Sequence, residues 1–269
     1  MMALKNVLIS GDCHGMVSER LRQIHNTMPG YRPEETAIIL LGDVGLNYYL
    51  NKRDYIHKKE VSSYGYTIYC VRGNHEAKPG EHLGMKLVDD DFVGNPVWID
   101  EEFPLIRYFC SWGFYNIQGR KTLVLGGAYS VDKHYRIANG WQWFKDEQLT
   151  MVDMRTCLHN MTYYDHEFDL VLSHTCPYDW RPTDLFLNCV DQSTVDNTME
   201  IWMDEVRQTV PWKLWLFGHY HTDRIERPYV ELFYTEVEDL KTIEERWKRY
   251  DETGELDWWL PKSPNFYME

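Results

Sequence analysis

Five short segments combine Asp, His and Asn with glycine: Gly-Asp-Cys-His-Gly at 11–15, Gly-Asp-Val-Gly at 42–45, Arg-Gly-Asn-His-Glu at 72–76, Ser-His-Thr-Cys-Pro at 173–177 and Gly-His-Tyr-His at 218–221. Together they offer two Asp, one Asn and up to five His. Imidazole and carboxylate oxygen suit Zn, Fe or Mn, and no thiolate-rich set competes. A single Zn takes three or four ligands. Seven donors are too many for one ion and fit two ions that share a bridging carboxylate. In the first and last segments the donors stand two apart, and on an extended backbone residues i and i+2 point the same way. Each pair is therefore expected to address one centre, with Cys13 and Tyr220 directed elsewhere.

Each segment follows an apolar, β-branched-rich run: 6–10, 37–41, 66–71, 170–173 and 214–217. A sixth run, 122–125, leads into the donor-rich loop 126–136. These read as buried strands. Helical spacing lies between several of them: 18–28, 146–161 with Met151, Met154, Leu158 and Met161, and 192–208 with Val195, Met199, Trp202, Met203 and Val206. The Met and Trp stripes read as core. Alternation of strand and helix implies a mostly parallel sheet, and such sheets bind ligands outside the carboxyl ends of their strands. The five segments are thus expected to converge. Close strands and Gly turns over 97–127 suggest hairpins. A charged helix is expected over 236–250, followed by a tail, 251–269, that carries Trp258-Trp259 and packs on the domain or on a second subunit, which leaves room for a homo-oligomer. The expectation is one domain, 1–269, with its core at about 5–235 and a C-terminal helix and tail at 236–269.

Composition narrows the function. The 269 residues carry a net charge of −14, with 43% hydrophobic and 15% aromatic residues. That is enough apolar surface for a large core and excludes global disorder. No apolar run approaches the roughly 20 residues that span a bilayer, so no membrane partner is expected. The acidic balance argues against a grip on long duplex nucleic acid, while leaving room for a small phosphorylated substrate at a locally positive site. Six scattered cysteines read as reduced thiols. The opening ten residues have too short an apolar run for a signal peptide and lead straight into 11–15, so the protein is read as cytoplasmic.

The order Asp-x-His, Gly-Asp, Gly-Asn-His-Glu, His, Gly-His-x-His resembles the calcineurin-like metallophosphoesterases over about residues 5–225. The resemblance implies an α/β fold: a double β-sandwich flanked by helices, in four αββα layers, with a dinuclear metal site at the strand ends. It implies that Asp12, His14 and His221 hold one divalent ion and Asn74, His174 and His219 the other. Asp43 would bridge them, and His75 would stay free of metal beside the leaving-group oxygen. Two divalent ions, two carboxylates and a bridging hydroxide leave the site near +1, which suits a phosphate anion. The implied reaction is attack by that hydroxide on phosphorus, with His75 protonating the departing alkoxide, a step worth roughly 10²–10⁴-fold.

The match has departures. Many relatives read Gly-Asp-x-x-Asp followed by Arg after the second strand, where this chain has Gly-Asp-Val-Gly-Leu-Asn-Tyr. The missing Arg favours a phosphodiester or nucleotide-like substrate. Arg72-Gly73-Asn74-His75-Glu76 resembles the protein phosphatase branch and keeps a phosphomonoesterase as the alternative; Ser173-His174 with a nearby Pro also resembles lariat-debranching phosphodiesterases. A metal-binding scaffold without turnover is a third reading, opposed by the intact His75. Candidate substrate contacts are Arg72, His134, Arg136 and Arg181, with Tyr178 or Trp180 placed to stack on a base. His25, His57, His82, His159 and His166 read as structural or exposed, and Asp89-Asp90-Asp91 as a solvated turn.

Overall fold

The structure is a computed structural model that describes residues 3–256. In chain order it forms β1 (Asn6–Ser10), α1 (Val17–Thr27), β2 (Thr36–Leu40), α2 (Lys52–Ser63), β3 (Thr67–Cys70), β4 (Lys86–Val88), β5 (Val97–Ile99), β6 (Ile106–Tyr108), β7 (Trp112–Ile117) and β8 (Arg120–Leu125). Then follow α3 (Lys133–Ala138), α4 (Met151–Tyr163), β9 (Phe168–Ser173), α5 (Thr198–Thr209), β10 (Trp212–Phe217), β11 (Arg224–Arg227), β12 (Val230–Leu232), β13 (Val237–Asp239) and α6 (Leu240–Thr253). One sheet runs β13-β1-β2-β3-β6-β5-β4 and the other β11-β12-β10-β9-β8-β7.

Strand periodicity builds the layers. Val7 and Ile9 of β1 join a central core with Ala37, Ile39, Leu170, Leu172, Leu214 and Leu216, so the inner faces of the two sheets meet there. Leu8 points the other way, to a core shared with Val17, Leu21 and Ile24 of α1 and Val61 of α2. Val171, Trp215 and Phe217 likewise face Met154, Cys157 and Met161 of α4 and Met199, Trp202, Met203 and Val206 of α5. This is the expected αββα order. Each fully buried Val, Leu or Ile contributes roughly 1.5–3 kcal/mol. From α6, Leu240, Ile243 and Trp247 enter the central core and close the sandwich beside β1 and β13.

The six expected strands form, each within two residues of its predicted limits. The hairpin reading of 97–127 also holds: β5 pairs antiparallel with β6, and β7 with β8. Helix starts move. A capping box between Thr150 and Asp153 begins α4 at Met151, leaving 146–150 outside it and Met151 itself exposed. Helix α5 begins at Thr198, so Val195 lies outside it. Residues 237–239 form β13, paired antiparallel with β1, and the Asp239 carboxylate caps α6 by accepting from Lys241 N. Asp90 is buried rather than solvated, accepting from the Tyr69 hydroxyl and pairing with Arg107. Part of the expected tail, 257–269 with Trp258-Trp259, lies outside the described residues. Among the described residues no helix is long and apolar enough to cross a membrane.

Parallel register brings the active segments side by side. Ser10 pairs with Leu40, Leu40 with Cys70, and Ser173 with Phe217. Segments 11–15, 42–45 and 72–76 therefore leave the first sheet side by side at the carboxyl ends of β1, β2 and β3, and 173–177 and 218–221 leave the second together.

Candidate metal centre

Asp12, His14 and His221 form one cluster of donor atoms within 4.8 Å of one another. Asp12 Oδ1 accepts from His219 N at 2.9 Å, whereas its Oδ2 is buried without a hydrogen-bond partner. Facing that oxygen are His221 Nε2 at 3.3 Å and His14 Nε2 at 3.8 Å, and the two imidazole nitrogens stand 2.9 Å apart. A carboxylate oxygen and two imidazole nitrogens thus converge on one point, with at most one N–H shared between the two rings when both are neutral.

Asp43, His174 and His219 form a second cluster. His174 Nδ1 donates to the Leu41 carbonyl at 2.7 Å, which turns Nε2 inward, 2.9 Å from Asn74 Oδ1 and 3.4 Å from Asp43 Oδ1. Asp43 also shares a cluster with His14 and His75, so it stands between the two sets. Electrostatics show the same demand for positive charge. Burial opposes ionisation of Asp43, yet His75 and His174 outweigh it and hold the carboxyl well below its usual range. Burial likewise works against the His174 imidazolium, but Asp43 and Asp12 raise its pKa to about 9. Burial and the His174 charge push His219 down to about 3. A proton alone serves this donor set poorly; an orphaned carboxylate oxygen among imidazoles suits divalent cations.

The local backbone is bent, contrary to the extended expectation. His14, Asp43, His219 and His221 all have positive φ, at 47°, 46°, 73° and 50°. Such conformations cost non-glycine residues free energy and concentrate at functional sites. The bend sends His219 to the Asp43 cluster and His221 to the Asp12 cluster, so that pair does not share a centre, while Asp12 and His14 do. Cys13 and Tyr220 point away, with Cys13 Sγ donating to the Gly11 carbonyl and the Tyr220 hydroxyl 3.1 Å from Thr175 Oγ1. Two glycines make the approach possible. A Cβ on Gly73 would stand 2.0 Å from Asp43 Oδ1, and one on Gly42, at φ +100°, would stand 2.1 Å from His174 Nδ1.

A supporting chain escaped the sequence reading. Asn74 Nδ2 donates to Ser130 Oγ at 2.9 Å, Ser130 Oγ donates to Glu147 at 2.6 Å, and Trp143 Nε1 donates to the same carboxylate at 2.8 Å. No motif marks Glu147; only the loop 126–136, read as donor-rich, signalled Ser130.

His75 lies beside both clusters, its ring 5.1 Å from that of His14, and its backbone N–H donates to Asp43 Oδ1 at 2.8 Å. Its Nε2 is 3.8 Å from Asp132 Oδ1. Burial lowers its pKa, Asp43 opposes this, and Arg136 adds to the lowering. A cavity of about 440 Å³ opens from His14 and His75 and is also lined by Asp132 and Arg136. Arg136 is 1% exposed, with Nη1 unpaired.

The other candidate contacts are placed elsewhere. Arg72 is buried, donates to the Asp146 carbonyl and does not line that cavity. His134 is exposed on α3 and is not in the cavity wall. Arg181 stacks 3.5 Å above the Tyr178 ring and donates to Asn197, and Trp180 is buried against Trp212 and Trp215 rather than free to stack on a base. A larger cavity of about 960 Å³ lies at the opposite strand ends, beside Asp169, Lys213 and α6, and holds no His or Cys.

The sequence matches the family described as calcineurin-like phosphoesterase over residues 5–223. No curated protein matches it significantly. Among solved structures, it is similar to TT1561 of Thermus thermophilus at 15% identity and a TM-score of 0.46, covering 88% of this chain and 98% of that one. It is also similar to the phosphopantetheinyl hydrolase PptH of Mycobacterium tuberculosis at 12% identity and a TM-score of 0.42, covering 96% of this chain and 93% of that one.

Proposed function

The chain belongs to the calcineurin-like phosphoesterase family, and from that premise we propose that it hydrolyses small phosphate esters with two divalent ions (Mn, Fe or Zn), diesters in preference to monoesters. The observation that carries this reading is the position of Asp43 between two donor clusters, one containing the orphaned Asp12 oxygen. Asp12, His14 and His221 would hold one ion, Asn74, His174 and His219 the other, with Asp43 shared. Divalent ions held there acidify water toward neutral pH and offset phosphate charge.

The remaining work falls to the chain's own groups. Arg136 Nη1, buried and unpaired in the cavity wall, holds a non-bridging phosphate oxygen by a charge-assisted bond. His75, which lines the same cavity, gives its proton to the departing oxygen. The preference for diesters follows from charge. Arg136 is the only Lys or Arg lining this cavity among the described residues, against the carboxylates Glu19, Glu60 and Asp132. Arg72, which motivated the monoester alternative, is directed to Asp146. A singly charged diester is therefore held more easily than a doubly charged monoester.

With Mn²⁺ present, an aryl phosphodiester should be cleaved at least as fast as the matching monoester, and Arg136→Ala should raise KM. A tenfold preference for the monoester would overturn the diester assignment.

A further inference from the structure

We propose that the cavity beside His14 and His75 is a leaving-group subsite for an alcohol that carries an amine or amino group and no negative charge. The phosphate end of this assignment rests on the phosphoesterase reading above; the selectivity for the organic part rests on features that reading does not use.

Three polar atoms in buried positions lack partners and belong to residues that line this one cavity: His57 Nδ1, Asp132 Oδ1 and Arg136 Nη1. Each is an unmade hydrogen bond whose desolvation has already been incurred, and a bound ligand would complete it. Arg136 answers the phosphate. Asp132 Oδ1 is acceptor-only when ionised, so it calls for a donor. His57 sits on α2, outside all five motifs, and is half-buried.

Charge sets the class. Beyond His75 the wall carries Glu19, Glu60 and Asp132 against Arg136 alone, a formal −3 against +1. A leaving group with a second phosphate or a carboxylate would be repelled there, whereas an ammonium or a ring-bound amino group would be attracted. Tyr48 and Trp141 add aromatic surface, and such rings favour cations and flat amino-bearing rings alike. Size sets the limit: about 440 Å³ lies within the range of small-molecule sites and accommodates a nucleoside or an amino alcohol. The two sources share one chemistry, donation from nitrogen, and separate by experiment.

The test reads binding rather than turnover. Calorimetry on the Mn²⁺-loaded full chain compares ethanolamine phosphate, choline phosphate, AMP, IMP, glycerol 3-phosphate and 3-phosphoglycerate. At least one amine-bearing probe should bind tenfold or more tightly than glycerol 3-phosphate, and 3-phosphoglycerate should bind least. Choline or ethanolamine phosphate ahead of AMP identifies an ammonium alcohol; AMP tenfold ahead of IMP identifies an amino-bearing base. Glu60→Gln, at an exposed position of α2, should reduce the preference at least fivefold. Probes that agree within twofold, or 3-phosphoglycerate binding as tightly as ethanolamine phosphate, would overturn the subsite. If the preference is found but no ester is hydrolysed, the subsite stands and the phosphoesterase reading falls.

Discussion

Asn74 Nδ2 donates to Ser130 Oγ at 2.9 Å, and that bond decides which end of the amide faces His174. The Ser130 hydroxyl gives its proton to Glu147, so Ser130 Oγ is left as an acceptor and takes the amide nitrogen. Asn74 Oδ1 is thereby turned inward, 2.9 Å from His174 Nε2. An amide that was free to rotate could offer the centre its NH₂ group, which cannot ligate a cation.

Ser130→Ala should therefore weaken metal binding at the His174 cluster without touching a ligand. Loss of a supporting partner of this kind typically costs 10–100-fold in metal affinity. Metal titration of the purified variant gives the number, and affinity equal to wild type would remove Ser130 from the site.

The two clusters should empty separately. Protein purified without chelator should hold close to two ions per chain. His174→Ala or His219→Ala should lower the ion beside Asp43 and Asn74, and His221→Ala the ion beside Asp12 and His14. Asp43→Asn should lower both. Elemental analysis decides, and full occupancy in any of these variants would show its ligand wrongly assigned.

His75→Asn should lose roughly 10²–10⁴-fold in kcat while binding metal as the wild type does. As a proton donor His75 acts only in the transition state, so kcat and kcat/KM should fall together. The loss should shrink for a nitrophenolate leaving group, which hardly needs a proton. Rescue of the variant by added metal would instead make His75 a ligand.

Glu200 supplies a pH signature of stability. Burial raises its carboxyl to about 7, even though Thr175 Oγ1 donates to it at 3.1 Å. The folded state then binds this proton more tightly than the unfolded chain, whose value is 4.5. Its contribution is full below pH 4.5 and is lost as pH rises to 7, by up to about 3 kcal/mol. Glu200→Gln should flatten the decline in Tm between pH 5 and pH 8, and an unchanged slope would show that Glu200 does not titrate in that window.

How much of this was legible in the chain depends on the range of the interaction. The strands of the sandwich interior could be read because buried β-branched runs such as Asn6–Ser10 announce themselves locally, and the five motifs could be read because each ligand sits next to a strand end. The short strands β4, β11, β12 and β13 at or next to the sheet edges, of three or four residues, carry no such run and form because a neighbour offers its backbone. The ends of α4 and α5 were set by side-chain capping and by the loop before α5, not by apolar spacing.

At the site, residue types pointed to divalent metals, but the partition of the donors between clusters did not follow from spacing. His219 and His221 separate because both adopt positive φ, a strain that only the surrounding fold can hold in place. Equally, Arg72 and Arg136 are the same residue type near the same motifs, yet Arg72 is turned to Asp146 away from the cavity, whereas Arg136 lines it with Nη1 unpartnered. Which arginine enters the cavity wall, and the placement of Ser130, Glu147 and His57 near the site, were decided by packing between segments far apart in the chain, and no local pattern encodes that.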